Sequence, residues 1–202
     1  MTLYIIVITC ILSLMCFYSE ELRGKMIFNP HVIHHHNEWH RFITSGFIHA
    51  DFLHLLFNLL AFYSFGMAVE AYYTVIFEEK GGFFYLLLYL GGIFIANAPS
   101  LAKHRDNHYY NSLGASGAVS AIIFSAILFN PWGNIYLFGL IGIPGIVMGP
   151  LYLYAEYKMG QQGQSNINHD AHIWGAIFGL AFTIGLSPKI LLYFFDKITG
   201  AI

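Results

Sequence analysis

Charge is scarce in this sequence. Lys, Arg, Asp and Glu make up 10% of its 202 residues, where an ordinary soluble domain carries about 25%. That is too little to clothe a water-facing surface, and it excludes a conventional soluble globule. An excess of positive charge is lacking too: the formal net charge is −2, which argues against a nucleic acid partner. Only two cysteines occur, Cys10 and Cys16, both in the first apolar stretch. Six residues apart on a helix, they face different directions and cannot close a disulfide within it. The zinc-protease run His-Glu-x-x-His is absent, as is a lipidation motif. The first apolar stretch has no positive n-region and no small-x-small cleavage site before Ser19-Glu20-Glu21. It reads as a retained helix rather than a signal peptide.

Apolar residues dominate: 57% of the chain is hydrophobic and 18% aromatic. A membrane-crossing helix takes about 20 mostly apolar residues. Backbone groups in lipid must be satisfied within the segment, so the spans are helices rather than open strands. The pattern predicts an all-α membrane protein, a bundle of six transmembrane helices forming a single membrane domain over residues 1–202. The helices are expected over residues 3–18, 52–72, 83–98, 113–129, 135–154 and 171–186. Pro99 is expected to end the third, because proline donates no backbone bond. Pro144 and nearby glycines bend or interrupt the fifth. Residues 19–48 form a long polar and aromatic connection with a histidine cluster. Residues 156–168, rich in Gly, Gln and Asn, read as mobile, and an amphipathic tail follows Pro188.

Three of these apolar stretches hold polar residues that lipid rejects. Gly114-Ala115-Ser116-Gly117 stands at the start of the fourth helix. There the first backbone N–H groups have no intrahelical partner and the dipole favours negative charge. On its own the string also fits a small-residue packing surface. His172 stands near the start of the sixth helix, with Gly175 and Gly179 on its face. A flat glycine face suits close packing against the fourth helix and brings the imidazole to the Ser116 hydroxyl. A hydroxyl needs a base to become a nucleophile, and histidine has the near-neutral proton affinity for it. His54 and Asn58 share a face of the second helix, with His49 at its mouth. Both His54 and Asn58 offer donors to a developing oxyanion. Glu70 lies further along that helix as a structural acceptor. Asp170, two residues from His172, points elsewhere on the helix, so the reading is a Ser–His dyad.

The set resembles the rhomboid intramembrane serine proteases. The resemblance rests on His49-x4-His54-x3-Asn58, Gly114-x-Ser116-Gly117 and Ala171-His172-x2-Gly175-x3-Gly179, in that order on helices two, four and six, and it covers nearly the whole chain. It implies Ser116 as nucleophile and His172 as general base. It further implies His54, Asn58 and the Ser116 backbone N–H as oxyanion donors, with His49 as a hydrogen-bonding support. Glu70 matches a glutamate that braces the second helix, and Arg41 the arginine of a first-loop Trp-Arg motif. The implied substrates are transmembrane proteins in a lipid bilayer, with no cofactor, no metal and no nucleic acid. The implied location is a multi-pass position in a bacterial cytoplasmic membrane. Two positions depart from the pattern. His40 stands where the tryptophan is usual, beside Trp39. Ser120 stands four residues after the nucleophile, where bacterial members often place a tyrosine that stacks on the histidine.

The expected reaction is hydrolysis of a peptide bond in or near a substrate's transmembrane helix, through an acyl-enzyme. The dyad then has to lie in a cavity that water can reach, with the 156–168 connection as a lid. Two competing classes are a metal or haem protein and a family member that binds helices without cutting them. The first would use His31, His34, His35, His36 and His40, or His54 and His172 as axial ligands. The intact Ser116 and His172 argue against the second.

Overall fold

A computed structural model describes residues 1–137, 140–162 and 167–200, with backbone alone at Leu137. The helices in chain order are α1 (Thr2–Tyr18), α2 (Glu20–Met26), α3 (Pro30–His36), α4 (Arg41–Thr44), α5 (Phe52–Phe77) and α6 (Gly81–His104). Then come α7 (Ser116–Phe129), a hairpin of β1 (Asn134–Leu137) and β2 (Ile141–Pro144), α8 (Gly145–Gln162), α9 (His169–Leu186) and α10 (Lys189–Thr199). The two strands pair antiparallel, Asn134 opposite Pro144.

The fold is an all-α membrane fold built around α7. Every residue of α7 from Gly117 to Phe129 except Ile123 is buried. Helices α5, α6 and α9 pack against it. Glycine permits the closest approach. A Cβ at Gly175 would stand 2.1 Å from the Gly117 carbonyl oxygen, and one at Gly179 2.1 Å from that of Ala121. The α7–α9 contact is thus backbone against backbone. A buried hydroxyl chain ties three helices together deeper in the bundle. The Tyr73 hydroxyl of α5 meets Thr183 of α9 at 2.8 Å, and Thr183 donates to Ser125 of α7 at 2.8 Å.

The outer faces carry apolar side chains. Helix α1 exposes Leu3, Tyr4, Val7, Ile8, Ile11 and Leu14, and α5 exposes Phe57, Leu60, Tyr63 and Met67. Contiguous apolar surface of this extent belongs against lipid. Helices α5 and α6, joined through a 3-10 turn at Glu78–Lys80, form one long apolar stretch, Phe52–His104. Helices α1 and α7 are apolar but shorter, and α10 turns away from α9 by 109°.

The six longest helices among the described residues correspond in order to the six expected from the sequence, but several ends differ. Pro99 lies inside α6, which continues to His104. Tertiary contacts hold that last turn despite the lost backbone bond. Ser100 bonds Asn168, and His104 stacks on Tyr110 with ring centroids 3.9 Å apart. The fifth helix begins only at Gly145, because Asn134–Leu137 and Ile141–Pro144 pair as strands ahead of it. Residues 156–162 of the expected mobile connection are helical, and 163–166 lie outside the described residues.

The first-loop region, 19–48, is a set of short helices rather than an irregular connection. Ser19 caps α2 and Asn29 caps α3 through their side-chain oxygens. Buried Arg41 holds them together. Its guanidinium donates to the carbonyls of Gly24 at 2.6 Å and Ile27 at 3.0 Å, and to the Glu38 carboxylate at 2.7 Å. That pairing keeps the Glu38 carboxyl below its ordinary value, the hydrogen bond from Arg41 being the main cause.

Candidate active site

Ser116 is the first residue of α7, which has no side-chain cap. The first-turn N–H groups therefore have no side-chain capping partner. Gly114, just upstream, takes φ +115°, a conformation that disfavours a side chain. A Cβ there would also meet His54 Cε1 at 2.8 Å. The loop is pinned by Gly114 N–H donating to Ser45 O at 2.9 Å, and by Ala115 N–H pointing at His49 Nε2 at 3.5 Å.

His49 is fully buried. With Nε2 accepting from Ala115, its proton belongs on Nδ1, which lies 3.0 Å from Ser13 Oγ. Ser13 passes its own proton to Phe47 O at 3.1 Å. The ring is thereby oriented by α1 and in turn orients the turn that carries Ser116.

His172 sits in the first turn of α9, capped by Asn168. Its Nε2 lies 2.7 Å from Ser116 Oγ. His54 and Asn58 stand across from this pair, on α5. The Asp51 cap fixes the start of that helix by accepting from His54 N–H at 2.8 Å. One Asn58 amide proton goes to the His54 carbonyl at 3.1 Å, which leaves the second for a ligand. Ser116, His172, His54, Asn58, Gly114 and Gly117 all line one cavity of about 780 Å³.

Sequence reasoning missed two side chains behind His172, both from α8. Glu156 is buried, with Oε1 3.0 Å from His172 Nδ1 and Oε2 2.6 Å from His169 Nδ1. The His172 contact is at ion-pair distance but not aligned as a hydrogen bond. Tyr152 lays its ring near-parallel to His172, at 22° with centroids 6.3 Å apart. Its hydroxyl meets Ser120 Oγ at 2.9 Å. The available signal was the i, i+4 spacing of Tyr152 and Glu156, which puts both on one helical face. Asp170 points away, to Lys103 at 3.4 Å.

The remaining candidates stand further off. Glu70 braces α1 against α5. It accepts from Thr2 N at 2.8 Å and Thr2 Oγ1 at 2.7 Å, and pairs with the Met1 amino group. Among the described residues, Glu156, His169 and His172 are the group whose ligand atoms gather closely enough for a metal ion. Their 2.6 Å oxygen–nitrogen spacing is that of a hydrogen bond, tighter than the roughly 3.3 Å between neighbouring ligands of a tetrahedral zinc. The first-loop histidines form no such group there. His31 packs against His108 with the rings tilted by 49° and centroids 4.0 Å apart, and His40 bonds the Lys25 carbonyl.

The Rhomboid domain family model matches residues 36–189, three quarters of the chain. The chain belongs to the rhomboid family. It is therefore an integral membrane protein. Among its relatives, RHOMBOID-like protein 12, mitochondrial, of Arabidopsis thaliana is 32% identical over 152 residues, 68% of this chain and 43% of the relative. Rhomboid-like protein 11, chloroplastic, of the same plant is 30% identical over 175 residues, 83% of this chain and 59% of the relative. Rhomboid protease GluP of Bacillus subtilis is 34% identical over 155 residues, 75% of this chain and 27% of the relative. This rhomboid thus spans about a quarter to three fifths of the length of these three relatives. Organellar and bacterial names stand side by side, so the comparisons select no one compartment.

Proposed function

We propose that this rhomboid is an intramembrane serine endopeptidase. Ser116 attacks a peptide carbonyl in or near a substrate's transmembrane helix, and His172 takes the hydroxyl proton. The observation that carries the reading is the 2.7 Å approach of His172 Nε2 to Ser116 Oγ, with both residues facing the cavity. The carbonyl oxygen becomes an oxyanion bonded by the Ser116 backbone N–H, Asn58 and His54. Losing one such donor typically costs about 2.7–4 kcal/mol of transition-state stabilisation. His172 then gives its proton to the leaving amine, and water, activated by the same imidazole, releases the acyl-enzyme. Two Bacillus subtilis relatives whose names include rhomboid protease support the activity.

A helical substrate bond is shielded by its own hydrogen bonds, so the scissile segment has to unwind into the cavity. Helix-destabilising residues beside the cut should speed cleavage. The direct test is cleavage of a model transmembrane substrate in proteoliposomes by wild type and Ser116→Ala. Abolished cleavage with unchanged thermal stability is expected. Retained cleavage by the variant refutes the nucleophile.

A further inference from the structure

We infer that Glu156 is a positioning residue for His172, making the working unit a Ser–His–Glu triad delivered jointly by α7, α9 and α8. This rests on the assignment of His172 as the base. If Nε2 is to accept the Ser116 proton, the resting proton of His172 must sit on Nδ1. Glu156 Oε1 lies 3.0 Å from that nitrogen, and a small turn of either group aligns the bond.

The burial of Glu156 gives the second argument. Its side chain is 8% exposed, and the partners it has among the described ion pairs are His169 and His172. A buried carboxylate survives only when paired and hydrogen-bonded. One oxygen is committed to His169 at 2.6 Å. The other is left for an imidazolium at position 172, the species that forms when Ser116 attacks. During that step the Oγ–carbon bond forms, the carbonyl π pair moves to oxygen, and the Oγ proton passes to Nε2. Nδ1 keeps its own proton throughout, and the carboxylate takes none.

Tyr152 supplies the third argument. It rides one turn before Glu156 on α8 and lays its ring beside His172. Helix α8 therefore grips the back of the imidazole at two points, so its position controls whether the base is oriented.

Among the described residues, the groups that face His172 are Ser116 on α7, His54 on α5, Glu156 and Tyr152 on α8, and His169 on α9. The test compares wild type with Glu156→Gln and Glu156→Asp on a transmembrane substrate, with kcat, KM, the pH profile and thermal stability all measured. In Glu156→Gln, kcat should fall about 100-fold or more, within the range for acid–base assistance, while KM holds. The acid limb of the kcat/KM profile should move, since the group facing His172 Nδ1 has lost its charge. Glu156→Asp should restore part of kcat. A folded Glu156→Gln with wild-type kcat overturns the inference. So does a loss of activity that tracks a fall in stability, equal in both variants, with an unmoved acid limb. Ser116→Ala and His172→Ala run alongside. If they stay active, the dyad reading has failed. If they are dead while Glu156→Gln is unimpaired, only the role of Glu156 has failed.

Discussion

The Tyr152 hydroxyl lies 2.9 Å from Ser120 Oγ, and this one contact accounts for the departure at position 120. A tyrosine there would stack on the base from α7. In this chain the ring comes from α8 instead, and the small Ser120, 2% exposed, makes room and anchors it. Tyr152→Phe should keep the ring and lose about 1 kcal/mol of stability with the hydrogen bond. Tyr152→Ala should also reduce kcat by up to about tenfold, in line with the worth of an aromatic contact. Ser120→Tyr alone should destabilise by about 1–3 kcal/mol through overpacking. Combined with Tyr152→Ala, it should recover. Thermal unfolding and cleavage rates of the four variants check this.

The glycine face of α9 gives a stability prediction. Gly175→Ala and Gly179→Ala each drive a methyl to 2.1 Å from a backbone oxygen of α7. No rotamer relieves that contact, so the helices must part. Each substitution should destabilise by about 3 kcal/mol or more, at the upper end for overpacking, and should lengthen the Ser116–His172 distance. Thermal melts and loss of cleavage together are the readout.

Gly114→Ala should act differently. The position combines φ +115° with a Cβ only 2.8 Å from His54 Cε1. The expected result is displacement of His54 and loss of most activity, with stability lowered by about 1–2 kcal/mol for the strained backbone. A variant with wild-type kcat would contradict the close fit between this turn and α5.

The first-loop staple should weaken in acid. Arg41 keeps the Glu38 carboxyl below its ordinary value of 4.5. A lowered value means the pairing contributes fully above the ordinary value and is lost as pH falls through the lower, folded one. Hydrogen exchange over residues 19–48 should therefore rise on acidification, and Glu38→Gln should flatten that dependence. Arg41→Ala should destabilise by about 2–4 kcal/mol, because the Gly24 and Ile27 carbonyls lose their donor.

The close approach of Ser116 and His172, the proposed reacting pair, was legible in the sequence because each carries a local signature. Ser116 sits among glycines at a helix start, and His172 precedes two glycines at helical spacing. Those glycines also announced the backbone contact between the two helices. Glu156 and Tyr152 were not legible as site residues. Hydrophobicity falls away after Tyr154, so the sequence gives no sign that α8 runs on to Gln162. Their i, i+4 spacing puts them on one helical face, but that this face meets His172 is a tertiary fact. Pro99 misled for a similar reason. Its missing bond is a local penalty, and the contacts of Ser100 and His104 that outweigh it are long-range.

The most direct measurement is covalent labelling with a fluorophosphonate, followed by peptide mapping, on the folded protein in detergent. A proton-accepting imidazole 2.7 Å from one hydroxyl should make that oxygen the labelled atom. The account predicts a single modified peptide containing Ser116, with labelling lost in His172→Ala. Label on another residue, or undiminished label at Ser116 when His172 is replaced, would contradict it.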